Sequence, residues 1–366
     1  MKLHSFSVAI LLFWCPAGFS QDSSAPAPTA KPRSHMHRVD EQKSGGFMQG
    51  GMHHALATGV SLDQKIDAAS HTITLRVGPM HLPANTSHMK MPQPPDLVWS
   101  IPVTGWLLSF HPKIVDASGN PVPGAVLHHV AFWNENRSDF LCPNKDEHIF
   151  GAGGELTDWA AVPGFGYPVR KDDLIRVETM IHNPTPAPYD AAFLEISIQY
   201  LDDASPAPVR NFYPAWMDVS SCGNSGYDLP AGTSEKSGTV AVKYDGVLLG
   251  VGGHMHDYAQ QISLEEASKK DLIATLKAKT DDKGHLLSMP VETFFAAGGK
   301  KLAAGDQLKI TANYDNTSGR LLRQGAMGIV VGYFVPANDG ALIPLRHPAK
   351  APAHNMQDMP GMSHDQ

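Results

Sequence analysis

Between residues 71 and 336 the chain is a succession of short runs in which apolar and β-branched residues alternate, broken by Gly, Pro and Asn turns. Alternation of this kind places one set of side chains inward and the other outward, and it admits sheets rather than helices. The first runs fall at 72–77, 97–110, 125–133, 174–181 and 192–201, with turn signals such as Asn120-Pro121 and Asn183-Pro184 between them. A polar, Pro-bearing segment at 202–214 interrupts the pattern and is the best candidate boundary. Runs resume at 237–244, 246–252, 260–264, 271–278, 290–295, 307–314 and 327–334. Residues 264–279 also suit a helix by composition, but Leu272, Ala274, Leu276 and Ala278 alternate, which favours a hairpin. The expected fold is all-β, with two tandem antiparallel β-sandwich, jelly-roll-like domains at 71–213 and 214–336.

The ends read differently. Lys2, an apolar run from Phe6 to Cys15 and Gly18-Phe19-Ser20 form a secretory signal over residues 1–20, cleaved after Ser20. The expected location is exported, either periplasmic or secreted, with no membrane span after cleavage. Residues 21–70 are rich in Pro, Ala, Met and His and are expected to be disordered, and 337–366 to form a flexible tail. Histidine (19) and methionine (15) are the unusual entries of the composition. They concentrate at His35-Met36-His37, at His88-Met89-Lys90-Met91 and around His354 and Met356. Such segments read either as polar tails or as loosely structured copper collectors, since thioether and imidazole together hold Cu(I). The net charge of -7 argues against nucleic acid as a partner. After signal removal Cys142 and Cys222 are the remaining cysteines; export permits a disulfide between them, but sequence separation leaves open whether they meet.

The chemistry lies in the histidines of the strand-like runs. His254 and His256 alternate within an apolar stretch, so their imidazoles share a face, as two ligands of one metal would. His128 and His129 are adjacent in another run; on a regular strand they would face opposite ways, so joint ligation requires a bulge or an edge. His182 ends a run just before a Pro-rich turn. Met327 sits in an apolar strand, where core packing is the ordinary role. His111, His148 and His285 lie near turns and read as surface histidines.

The order of these residues carries more than any one of them. A His128-His129 pair, then His182, then His254-x-His256, then Met327 resembles the ligand series of the copper type II, ascorbate-dependent monooxygenases, the family of peptidylglycine α-hydroxylating and dopamine β-monooxygenases. The similarity covers roughly residues 95–336, including the Asn-Pro turn after His182 and Gly305-Asp306 with Asn313-Tyr314 before the methionine. The resemblance implies two coppers per chain, one held by His128, His129 and His182 and an oxygen-binding one held by His254, His256 and Met327. It also implies that the two face each other across an interdomain cleft, and that O2 and a one-electron reductant such as ascorbate are co-substrates. Asp257, Glu178 or backbone carbonyls are candidates to orient the rings.

The chain departs from the family where substrate is held. Peptide-amidating members have arginine, asparagine and tyrosine at the positions of Gly252, Ile329 and Val331, so no charge-assisted clamp remains and a less polar, non-peptide substrate is expected. The leading reading is an exported dicopper monooxygenase that hydroxylates a C–H bond of a small molecule, with a copper donor protein as a partner. The alternative is a non-catalytic extracytoplasmic copper-binding or buffering protein; a structural adhesion sandwich would leave the aligned ligands unexplained.

Overall fold

The computed structural model describes residues 55–155, 158–204 and 209–347, all of which belong to one compact unit. The signal segment, most of the N-terminal Met/His-rich stretch and the end of the C-terminal tail lie outside them. The described residues form strands and four 3-10 turns, with no α-helix among them. In the first part these strands are β1 (Ser61–Asp67), β2 (Thr72–Leu82), β3 (Leu97–Ser100), β4 (Gly105–Asp116), β5 (Leu127–Ser138), β6 (Asp146–Gly153), β7 (Phe165–Val169), β8 (Leu174–Ile181), β9 (Tyr189–Asp202) and β10 (Arg210–Asn211). They build a six-stranded sheet in the order β1-β2-β9-β4-β7-β10 and a four-stranded sheet in the order β3-β8-β5-β6. Phe110 of one sheet stacks on Phe150 of the other and meets Phe132 edge-on, which makes a sandwich core.

Beyond Phe212 follow β11 (Tyr213–Asp218), β12 (Tyr227–Leu229), β13 (Gly232–Ala241), β14 (Gly246–Met255), β15 (Ala259–Glu266), β16 (Asp271–Lys277), β17 (Lys279–Thr280), β18 (Leu286–Ser288), β19 (Val291–Thr293), β20 (Lys300–Leu302), β21 (Gln307–Asn316), β22 (Leu322–Ala326) and β23 (Gly328–Pro336). Their main sheets run β11-β23-β14-β19, with β20 also on β14, and β13-β21-β15-β16. These two sheets face each other so closely at Gly253 that a Cβ there would lie 2.7 Å from the Met289 side chain and 3.1 Å from that of Ile262. The hairpin at 264–279 forms as the alternation indicates, with β15 paired to β16.

Every strand pairing among the described residues joins two strands on the same side of Phe212. Side chains and one isolated bridge between Arg137 and Arg346, not ladders, join the two halves. Phe140 stacks on Phe334 with ring centroids 5.0 Å apart, Phe212 stacks on Tyr333, and Trp159 packs on Trp216 and Tyr333. The apolar core is correspondingly continuous across the seam. Cys142 and Cys222 form a disulfide across it, with Cα atoms 5.6 Å apart.

Two segments expected to be unstructured are ordered parts of this fold. β1 lies within the stretch read as disordered, and it pairs along its whole length with β2. Its residues are mostly polar and largely exposed, as befits an edge strand, and Leu62 and Ile66 are too far apart to make an apolar alternation. Residues 337–347, expected as tail, fold back over the first half. The carbonyl of buried Leu342 accepts a hydrogen bond from Arg137 Nη2 at 3.1 Å, and Arg346 pairs with Asp173.

Beside the disulfide, buried Asp139 accepts the N–H groups of Leu141 and Cys142 at 2.8 and 2.7 Å. Burial pushes its carboxyl up to about 7; the hydrogen bond from Cys142 opposes the rise and Glu147 adds to it. An acid raised on folding holds its proton more tightly in the native state. Its contribution to stability is therefore complete below the ordinary value of 3.8 and lost as pH rises through about 7. Asp139→Asn keeps a hydrogen-bond acceptor and should flatten the decline of melting temperature between about pH 4 and 7. An unaltered slope would reject this assignment.

Candidate metal centre

The four-stranded sheet of the first half displays His128 and His129. Along β5 the ladder to β8 slips: Leu127 pairs with Ile181, but His129 pairs with Met180, which leaves His128 as an extra, bulged residue. The bulge supplies the condition that joint ligation needs. Both rings reach the same region, with Nδ1 facing Nδ1 at 2.8 Å. His182 follows the last residue of β8, its N–H bonded to the Val126 carbonyl, and its ring centroid is 5.1 Å from that of His128.

β14 brings the second set. Gly252, His254 and His256 are half-buried while Val251, Gly253 and Met255 are buried, so the alternation read from the sequence is realised. The His254 and His256 rings lie 5.6 Å apart. His256 also meets the first half directly, 5.4 Å from His128 and 6.2 Å from His129. In place of two sets facing across an open cleft, the five histidines form one continuous array at the seam.

Met327 reaches the same region through the backbone. Met255 pairs with Gly328, so one step onward along each strand sets His256 beside Met327. Met327 is buried yet stands outside the contiguous apolar core. The Tyr314 hydroxyl ties the two together: it accepts the N–H groups of His256 and Met327 at 3.0 and 3.2 Å and donates to the Met327 carbonyl.

Polar neighbours orient the rings. Glu155, in the turn after β6 and nearly buried, bonds His254 Nδ1 at 3.0 Å across the seam. Burial tends to raise its carboxyl, but His254 and the hydrogen bond to it hold the group below the ordinary range. Sequence reasoning missed Glu155 because it lies 99 residues from its partner. Of the candidates it proposed, the two carboxylates are engaged elsewhere, Asp257 accepting from the Leu286 N–H and Glu178 bonding Trp133 and Arg176, while backbone groups do meet the rings. The backbone of Gly325 bonds the His256 ring, and that of Ala125 bonds the His182 ring.

Two further histidines belong here. His88, on a 3-10 turn (His88–Lys90), has its ring 4.6 Å from that of His128. His148, expected at the surface, is buried and stacked between Trp133 and Trp216 at 4.1 and 3.5 Å. His111 and His285, by contrast, sit at partly exposed positions beside Asp158 and Asp281.

This arrangement suits a metal. Donor atoms of His128, His129 and His256 lie within 4.8 Å of one another, as do those of His88, His128 and His182. His129 Nε2 and His256 Nε2 are buried without a hydrogen-bond partner, which is costly unless an ion takes their lone pairs. Burial and the neighbouring rings push the His128 and His129 pKa values well down and His256 to about 3, so all three are neutral at ordinary pH, as ligation requires.

A small pocket opens beside the array. His129, His254, Glu155, Gly252, Val331 and Trp216 are among the residues that line it, and Ile329 contributes as well. The three positions where a substrate clamp was expected to be missing therefore face this pocket, and Gly252 and Val331 are directly paired.

No protein-family profile matches the chain. Two curated proteins are distant relatives, and both are named probable copper-dependent oxygenases. One, from a Phoma species, is 25% identical over 237 residues, which take in 58% of this chain and 58% of the relative. The other, from Cochliobolus lunatus, is 25% identical over 238 residues, 58% of this chain and 72% of the relative. Solved structures align only loosely: the major capsid protein of bacteriophage PM2 at 11% identity with a TM-score of 0.31, covering 72% of this chain and 98% of that one, and a peptide-N(4)-(N-acetyl-β-D-glucosaminyl) asparagine amidase at 8% with 0.35, covering 71% and 96%.

Proposed function

We propose that this chain is an exported copper oxygenase of the ascorbate-dependent monooxygenase type, which hydroxylates a C–H bond of a small apolar molecule. The observation that carries the reading is the buried histidine array with two partnerless Nε2 atoms and Met327 beside it. The names of the two distant relatives support the same chemistry.

In this reading His128, His129 and His182 supply a nitrogen-only set, while His254, His256 and Met327 supply a mixed one, giving two coppers per chain. Copper bound there supplies one-electron redox chemistry for O2 activation, with ascorbate or a similar donor as reductant. The protein's part is positioning. Glu155 fixes which His254 nitrogen is left for the metal, and the Gly325 backbone does the same for His256. Tyr314 holds the His256 and Met327 backbones in one register. Trp159 and Trp216 add aromatic surface to the pocket lining.

The substrate reading rests on the pocket lining. Gly252, Ile329 and Val331 offer no charge or hydrogen bond from their side chains, so the site suits an apolar C–H group. Its free space of about 40 Å³ accommodates a few atoms, such as the reacting end of a molecule. The Cys142–Cys222 disulfide supports an oxidising, exported location.

The test is ascorbate-dependent oxygen uptake by copper-loaded protein, with Met327→Ile compared to the wild type and to free copper. The substitution should lower uptake by at least ~10-fold while nitrogen-bound copper is retained. Uptake equal to that of free copper in the wild type, or unaffected by the substitution, would overturn the reading.

A further inference from the structure

We infer that His88 is a metal ligand, a further nitrogen donor that joins His128 and His182 in the nitrogen-only set. The inference rests on the copper reading above and adds to it a residue from outside the sequence of ligands that suggested that reading. His88 comes from a stretch that resembles the Met/His-rich tails in composition, yet it is built into the fold.

Hydrogen bonds on both sides of His88 fasten its turn to the strand end that carries His182. Before it, Thr86 and Asn183 exchange two backbone hydrogen bonds, each 2.8 Å. After it, the buried amide of Gln93 reaches across. Its Nε2 donates to the His88 carbonyl at 2.9 Å and to the Ile181 carbonyl at 3.1 Å, and its Oε1 accepts the Ile181 N–H at 2.8 Å. The backbones of residues 86–93 and 181–183 are thereby locked together around the two rings. Gln93 is 5% exposed, so these bonds are shielded from competing water.

The side chains meet as the backbone directs. His88 lies 4.6 Å from His128, His182 lies 5.1 Å from it, and one donor atom from each of the three falls within 4.8 Å of the others. Three imidazoles converging from a turn, a bulge and a strand end bring one ring nitrogen each into a single small volume. A divalent or monovalent soft cation resolves that crowding, and neutral imidazole is the donor copper accepts in both oxidation states. His128 also shares a triad with His129 and His256, so the set that His88 joins adjoins the second group of donors directly.

The experiment uses the full chain loaded with Cu(II), followed by chelator competition to measure the copper retained per chain and by electron paramagnetic resonance to read the nitrogen coordination. His88→Ala should weaken one of two tightly held coppers by ~10-fold or more and alter its nitrogen hyperfine pattern. His111→Ala, at a partly exposed histidine that pairs with Asp158 and belongs to neither triad, serves as the control and should change neither. Gln93→Leu should weaken the same copper as His88→Ala. Thermal melts of the metal-free variants check that the fold is kept. Wild type holding two coppers while His88→Ala holds both with unchanged affinity and spectrum overturns this inference and leaves the copper reading intact. Wild type that holds no copper against the chelator overturns both.

Discussion

His129→Leu should raise the melting temperature of the metal-free protein and at the same time strip it of tight copper. His129 is 4% exposed, and its Nε2 has no partner. A buried polar atom left unsatisfied costs about 1–3 kcal/mol. Leucine fills a similar volume and adds apolar burial, while the lost contact between His128 and His129 at Nδ1 offsets about 1 kcal/mol of the gain. The net stabilisation of about 1–2 kcal/mol corresponds to roughly 2–4 °C in a chain of this size. Copper affinity should fall by ~100-fold or more, because a direct donor is removed. The two outcomes are read by a melt in chelator and by copper competition. A lower melting temperature for the metal-free variant would mean that His129 is held for packing, and the site would lose one of its donors.

Replacing both cysteines, Cys142→Ser with Cys222→Ser, should destabilise the protein more than any single surface change. The bond closes a loop of 80 residues. The chain-entropy relation gives about 4.5 kcal/mol for a loop of that size, or roughly 9 °C at about 2 °C per kcal/mol. The disulfide lies at the seam where His256 meets His128, so copper retention reports on the same bond. A drop in affinity of less than ~10-fold is expected, since Phe140 on Phe334 and Phe212 on Tyr333 still join the halves. A melting temperature unchanged by the double substitution would show that these contacts alone fix the seam.

What could be read from the sequence follows physical range. His254 and His256 announced their shared face because a period of two is local, and β14 realises it. The His128-His129 pair was ambiguous, because only the partner strand decides whether a bulge forms; the slip against Met180 is a property of β8 as much as of β5. Glu155 carried no local signal, and His88 carried only the Met/His-rich composition of its stretch, which says nothing of a place in the fold. Each acts on a ring far along the chain, His254 and His128 respectively, and neither sits in a patterned run. β1 was hidden by its own exposure, since an edge strand can be mostly polar. The expectation of a cleft came from resemblance, whereas the seam is filled by aromatic residues whose individual positions looked like ordinary strand interior.

The segment at 337–347 has a consequence for biosynthesis. Arg137 is buried beside Glu147, and the acceptor for its Nη2 is a carbonyl 205 residues later in the chain. A nascent first half can form its ladders, but this guanidinium lacks its final acceptor until residue 342 has been made. This part of the first half is therefore completed only once residue 342 has been made, and a product that stops short of it would lack the contact.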